Sequence, residues 1–148
     1  MGCGYLNVVL NKMKQTDRSI QEVEKDYWPA LREYPSSWIE RCHRLRTKPI
    51  QELRINEIIT LLIQDIGTAA LLPIVEDSMR DDILNEDDLD GSRYIDSVVG
   101  FHQDVFASHP DWVMRIIKLI ESNRNRIEED IGEKRYIRLL RKLENKAE

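Results

Sequence analysis

The sequence predicts an all-α protein, a single-domain irregular bundle or array of about seven or eight helices over residues 1–148. Three observations predict it. Apolar residues recur at spacings of three and four from Trp38 to Leu140, the period of a helix face. No stretch shows strand-like alternation closed by hairpin turns. Finally, 41% hydrophobic and 33% charged residues over 148 positions describe a surface-charged globule with enough chain for one core.

In chain order, Leu6, Val9, Leu10 and Met13 share a face in Tyr5–Lys14, although Val8-Val9-Leu10 could equally begin a strand. Thr16 or Asp17 can cap a second helix through Lys25, with Ile20 and Val23 inward. Trp28-Pro29 and Tyr34-Pro35 interrupt, because residues before proline avoid helical angles. Ser36 or Ser37 caps a helix to about Arg46, with Trp38, Ile39, Cys42 and Leu45 on one side and Arg41, His43, Arg44 and Arg46 largely on the other.

Lys48 to Gly100 organises the chain. Lys48-Pro49 breaks into a central pair of helices, Leu53 to Asp65 and Thr68 to Arg80. Ile58, Ile59, Leu62, Ile63 and Ile66 form the first apolar face, with Asn56 as N-cap and Gly67 as the residue after the helix. Pro73 suggests that the second helix starts nearer Leu71 or kinks. A loop over Asp82–Gly91 leads to a short helix, Ser92 to Val99, which Phe101–Ser108 can continue. His109-Pro110-Asp111 is a break. Trp112, Val113, Ile116, Ile117 and Ile120 then line a strong face. Ile127, Ile131, Tyr136, Ile137, Leu140 and Leu143 extend it, with Gly132 as a break.

Charge is polarised. The chain carries −5, but Glu76–Asp96 alone holds nine acids against Arg80 and Arg93, whereas Arg41–Arg54 holds five Lys/Arg against one Glu. A negative balance disfavours non-specific nucleic-acid binding. No apolar run approaches the roughly 18 residues that cross a bilayer. Met1 to Leu6 has neither a secretory leader's basic start and apolar core nor a myristoylation pattern, so a cytoplasmic protein that binds neither membrane nor nucleic acid is expected. Two cysteines, Cys3 and Cys42, make no disulfide framework and read as free thiols.

Catalytic patterns are missing: no phosphate-binding glycine loop, no Cys-x-x-Cys, no His-Glu-x-x-His. His43, His102 and His109 are scattered and read as surface or capping residues. Cys42 and His43 are adjacent on a helix, so their side chains diverge by roughly 100° and form no dyad; Cys42 reads as a small core residue. Glu86-x-Asp88-x-Asp90-Gly91 resembles the start of a calcium loop, but Ser97 stands where the twelfth-position carboxylate belongs. No metal or other cofactor is expected. Arg41, Arg44, Arg46 and Lys48 could touch phosphate, but lack interleaved aromatic residues and more often pair with the protein's own acids. The acidic loop is either a solvated linker or a docking surface.

One stretch adds a resemblance. Arg46, Lys48-Pro49-Ile50, Glu52-Leu53, Leu61-Leu62-Ile63-Gln64, Ile66-Gly67, Leu71-Leu72-Pro73-Ile74, an acidic linker and Asp90-Gly91 follow one another in an order that resembles immunity proteins of bacterial contact-dependent growth inhibition systems. The family-like core covers about residues 38–99; it departs from the family pattern at Asp90-Gly91, where family members often have the opposite order. The resemblance implies a non-enzymatic protein that binds and neutralises, in the cytoplasm, a cognate toxin: the C-terminal domain of a large secreted exoprotein, and a nuclease in many such systems. A nuclease cleft is basic, so the implied toxin-binding residues are the acids Asp81, Asp82, Glu86, Asp87, Asp88 and Asp90. The alternatives are a helical adaptor that neutralises no toxin and a metal-dependent enzyme using Glu86, Asp88 and Asp90.

Overall fold

The structure is a computed structural model and describes residues 17–85 and 91–147. The predicted first helix, Tyr5–Lys14, lies outside them. Among the described residues the chain forms nine α-helices and no strand: α1 (Ile20–Glu24), α2 (Ser37–Thr47), α3 (Ile55–Ile63), α4 (Thr68–Asp81), α5 (Gly91–Val99), α6 (Gln103–Ser108), α7 (Pro110–Ser122), α8 (Arg124–Ile131) and α9 (Glu133–Ala147). The all-α expectation holds. The chain divides into two compact units, 1–57 and 58–148.

In the first unit α1 starts two residues later than Asp17 would place it. Ser19 is the cap: its hydroxyl accepts the Glu22 amide while the Glu22 carboxylate reaches back to Ser19, a reciprocal capping box. Lys25, at φ 55°, ends the helix. The Ile50 amide donates to the Arg18 carbonyl at 2.9 Å, and Ser19 and Pro49 form a single antiparallel bridge, so the turn after α2 is stitched to the entry of α1. Ser36 caps α2 through the Ile39 amide at 3.2 Å. A short 3-10 turn, Ile50–Glu52, follows Pro49. Ile20, Cys42, Leu45, Ile50 and Leu53 are buried. Trp38 and Ile39 are not; they stay 39% and 37% exposed, although the helical period puts them beside Cys42. They lie in the first turn of α2, and the preceding 25–36 stretch holds no helix to pack on them.

α3 begins at Ile55, so Asn56 is inside it rather than capping it. The chain then turns through Asp65 and Gly67, both at positive φ. α4 begins at Thr68 and carries Pro73 as its sixth residue. The start near Leu71 is therefore corrected: the exposed face of the helix accommodates the proline without ending it.

In the second unit α9 packs against α5, α6, α7 and α8, and α4 packs against α7. The five residues predicted to line α7 are all buried. Leu139, rather than Leu140, joins Tyr136 and Leu143 in the core. Phe101 and Trp112 stack with ring centroids 6.3 Å apart, and the Trp112 indole N–H donates to the Leu72 carbonyl at 3.1 Å. Burial pushes the Tyr94 hydroxyl up to about 12; that hydroxyl lies 3.4 Å from the Val75 carbonyl it donates to. Gly100 ends α5 before α6 starts, so Phe101–Ser108 does not continue the preceding helix.

Candidate functional site

Two of the six predicted toxin-binding acids are described. Asp81 is the last residue of α4 and Asp82 its C-cap; Glu86, Asp87, Asp88 and Asp90 lie outside the described residues. The same holds for the calcium-like reading of Glu86, Asp88 and Asp90.

The acidic segment is less uniformly charged than its composition implies, because arginines from distant helices neutralise part of it. Glu76, only 7% exposed, accepts from Arg80 at 2.6 Å and from Arg115 Nε at 2.9 and 3.1 Å. Asp82 Oδ1 accepts from Arg126 at 3.1 Å and from the Leu84 amide at 3.3 Å. Asp96 pairs with Arg135 at 2.5 Å. Arg80 is an i,i+4 neighbour on α4, but Arg115, Arg126 and Arg135 are 39 to 44 residues away in the chain, beyond the reach of any local pattern.

Asp77 and Asp81 remain. Both are exposed and neither forms an ion pair among the described residues. They occupy the last turns of α4, where the helix dipole already presents partial negative charge; a carboxylate there typically costs about 0.3–1 kcal/mol.

The basic strip of α2 separates into two halves. Arg46 is buried at 2% exposure, donating to Glu24 at 2.8 Å and to the Asp26 carbonyl at 2.5 Å, with its guanidinium 4.1 Å from the Trp28 ring centroid. Placing Arg46 on the polar side is corrected by this: it holds the irregular 25–28 segment onto α2. Lys48 pairs with Glu57 at 3.1 Å. Arg41 and Arg44 instead line a shallow depression with Ser37, Trp38 and Glu40; Tyr27, Leu31 and Ile39 of the same unit are also exposed. His43 packs edge-on to Trp28 and Tyr34, away from any thiolate role. Burial raises the Cys42 thiol above its ordinary value, with Arg41 opposing, so Cys42 stays protonated and unreactive at neutral pH.

A family model of CDI immunity proteins matches residues 22–116, from α1 into α7. The chain belongs to the CDI immunity proteins. No curated protein and no solved structure matches it. For this immunity protein the match extends well beyond the 38–99 core on both sides, and it takes in the α2 surface as well as the acidic segment. Immunity proteins of this family are generally non-enzymatic, and membership implies a cognate CDI toxin as partner. No helix among the described residues is long and apolar enough to cross a membrane.

Proposed function

We propose that this immunity protein binds the toxin domain at the C-terminus of its cognate exoprotein and neutralises it in the cytoplasm, without turnover of its own. The family match over residues 22–116 carries this reading. The toxin is held by the acids Asp81, Asp82, Glu86, Asp87, Asp88 and Asp90. Support comes from Asp77 and Asp81, exposed and without an ion-pair partner among the described residues at a helix end that disfavours acid. A nuclease toxin fits such a surface, because its phosphate-binding cleft is basic and opposite fields speed encounter.

Reversing Asp87 and Asp88 to Lys, or Asp81→Lys, tests the site. Toxin association should slow and its dependence on salt should flatten, while helix content stays unchanged; at the exposed Asp81 a substitution usually shifts stability by only about ±0.5 kcal/mol. Wild-type affinity, association rate and salt dependence in these variants would remove the acidic surface from the interface. A second reading of the interface has its own observation: the exposed Trp38 lines one depression with Arg41 and Arg44, residue types typical of binding hot spots. Trp38→Ala separates the two, because it weakens toxin binding only if α2 is in the contact.

A further inference from the structure

We propose that Asp65, His102 and Asp104 form a surface site for a divalent transition-metal ion of the zinc class, clasping two helix junctions of the second unit. Asp65 lies in the α3–α4 turn; His102 and Asp104 lie where α5 passes into α6. The backbone brings these junctions together: the His102 amide donates to the Leu62 carbonyl at 3.3 Å. Asp65, at φ 55°, turns the chain three residues after Leu62. One ligand atom from each of the three side chains lies within 4.8 Å of the other two.

The donor atoms lie close enough for one ion to gather, once the imidazole lone pair is released from the Asp104 amide. His102 Nδ1 accepts from the Asp104 main-chain amide at 3.1 Å. An amide N–H can only donate, so Nδ1 bears a lone pair and the ring is in the tautomer that can ligate there. Asp104 Oδ2 is 3.6 Å from the same nitrogen. Metal–ligand bonds of about 2.0–2.2 Å span that separation at an angle of about 120°, close to the tetrahedral and trigonal range. Thr68 Oγ1 donates to Asp65 Oδ1 at 2.5 Å, the outer-shell contact that orients a ligating carboxylate while its second oxygen stays available.

One imidazole nitrogen with two carboxylate oxygens suits Zn²⁺ and its neighbours, whereas Ca²⁺ takes six to eight oxygens and Mg²⁺ keeps most of its waters. All three residues are exposed, so a fourth position is open to water. The ion also competes with the Asp104 amide for the imidazole lone pair. Binding is therefore weaker than at a closed four-ligand site, and the fold does not depend on it.

The test uses the full chain, stripped with a chelator and titrated with Zn²⁺ by calorimetry, with thermal melts and histidine-ring NMR alongside. The expected result is one Zn²⁺ bound by the wild-type chain, with His102→Gln and Asp65→Asn each weakening binding at least tenfold at unchanged far-ultraviolet dichroism. Wild type should melt higher with Zn²⁺, and the His102 ring signals should shift. His43→Gln should bind like wild type. No Zn²⁺ binding by the wild-type chain, an equal response to Mg²⁺, or undiminished binding in both Asp65→Asn and His102→Gln would each overturn the site.

Discussion

Arg46 shows how much one side chain decides here. Its fork reaches the Glu24 carboxylate and the Asp26 carbonyl while its face lies on Trp28. A lysine offers a point charge and no plane, so it cannot reproduce both bonds and the stacking. Arg46→Lys should destabilise by about 1–3 kcal/mol, because it keeps the charge facing Glu24 but gives up the bond to the Asp26 carbonyl and the contact with the Trp28 face. Denaturant unfolding measures the loss, and the near-ultraviolet signal of Trp28 should change with it. Glu57 gives a pH dependence. Burial alone would raise its carboxyl, but the Arg54 amide and the Lys48 ammonium outweigh that and hold it below the ordinary value of 4.5. A depressed folded value means stability that is present above 4.5 and lost as pH falls through the folded value. Between pH 6 and pH 3 (roughly, from the carboxylate range), Glu57→Gln should therefore lose less stability than wild type. Parallel losses in the two proteins would show that the Lys48 contact contributes nothing.

At the scale of elements, the helices are set by their ends as much as by their faces. The Ser19–Glu22 box starts α1 in a sequence that offers Thr16 and Asp17 as earlier caps. The reciprocal partner three residues on distinguishes Ser19, and the Ile50–Arg18 hydrogen bond holds the residue before it. Gly132 makes the corner between α8 and α9 at φ 86° and ψ 158°, a region that side chains essentially never enter. A Cβ built there meets nothing within 4 Å, so backbone conformation alone demands the glycine. Gly132→Ala should cost about 1–3 kcal/mol by thermal unfolding, with no loss that a smaller neighbouring side chain could restore. A neutral Gly132→Ala would mean that the corner relaxes into ordinary angles.

For the molecule as a whole, toxin binding and stability should be separable by where a substitution falls. Leu62 is fully buried whereas Ile63, its neighbour on α3, is half-buried. Leu62→Asp places an unpaired carboxylate in the core and should cost about 4 kcal/mol or more, enough to unfold a marginal domain. Ile63→Asp should cost clearly less, because the carboxylate can turn toward water. Urea unfolding of the two variants distinguishes them; equal losses would place both side chains equally deep. The Asp87/Asp88 reversal should leave that unfolding curve in place and move only the association kinetics.

Helix content, the α7 face and the family order from Lys48-Pro49 to Asp90-Gly91 were legible in the sequence, because each depends on residues within a few turns of one another. The period at Trp112 to Ile120 leaves one apolar stripe, and burying it needs no knowledge of the partner. The same local rule misplaced Trp38 and Ile39, since a periodic face is buried only where another element arrives to cover it. Tertiary structure alone decided that Arg46 is internal, that Arg115, Arg126 and Arg135 neutralise Glu76, Asp82 and Asp96, and that Asp65 meets His102 and Asp104. Coulombic and ligand contacts act through space over a few ångströms. The groups that make them here are separated by some 20 to 44 residues of chain, so only the fold brings them within range.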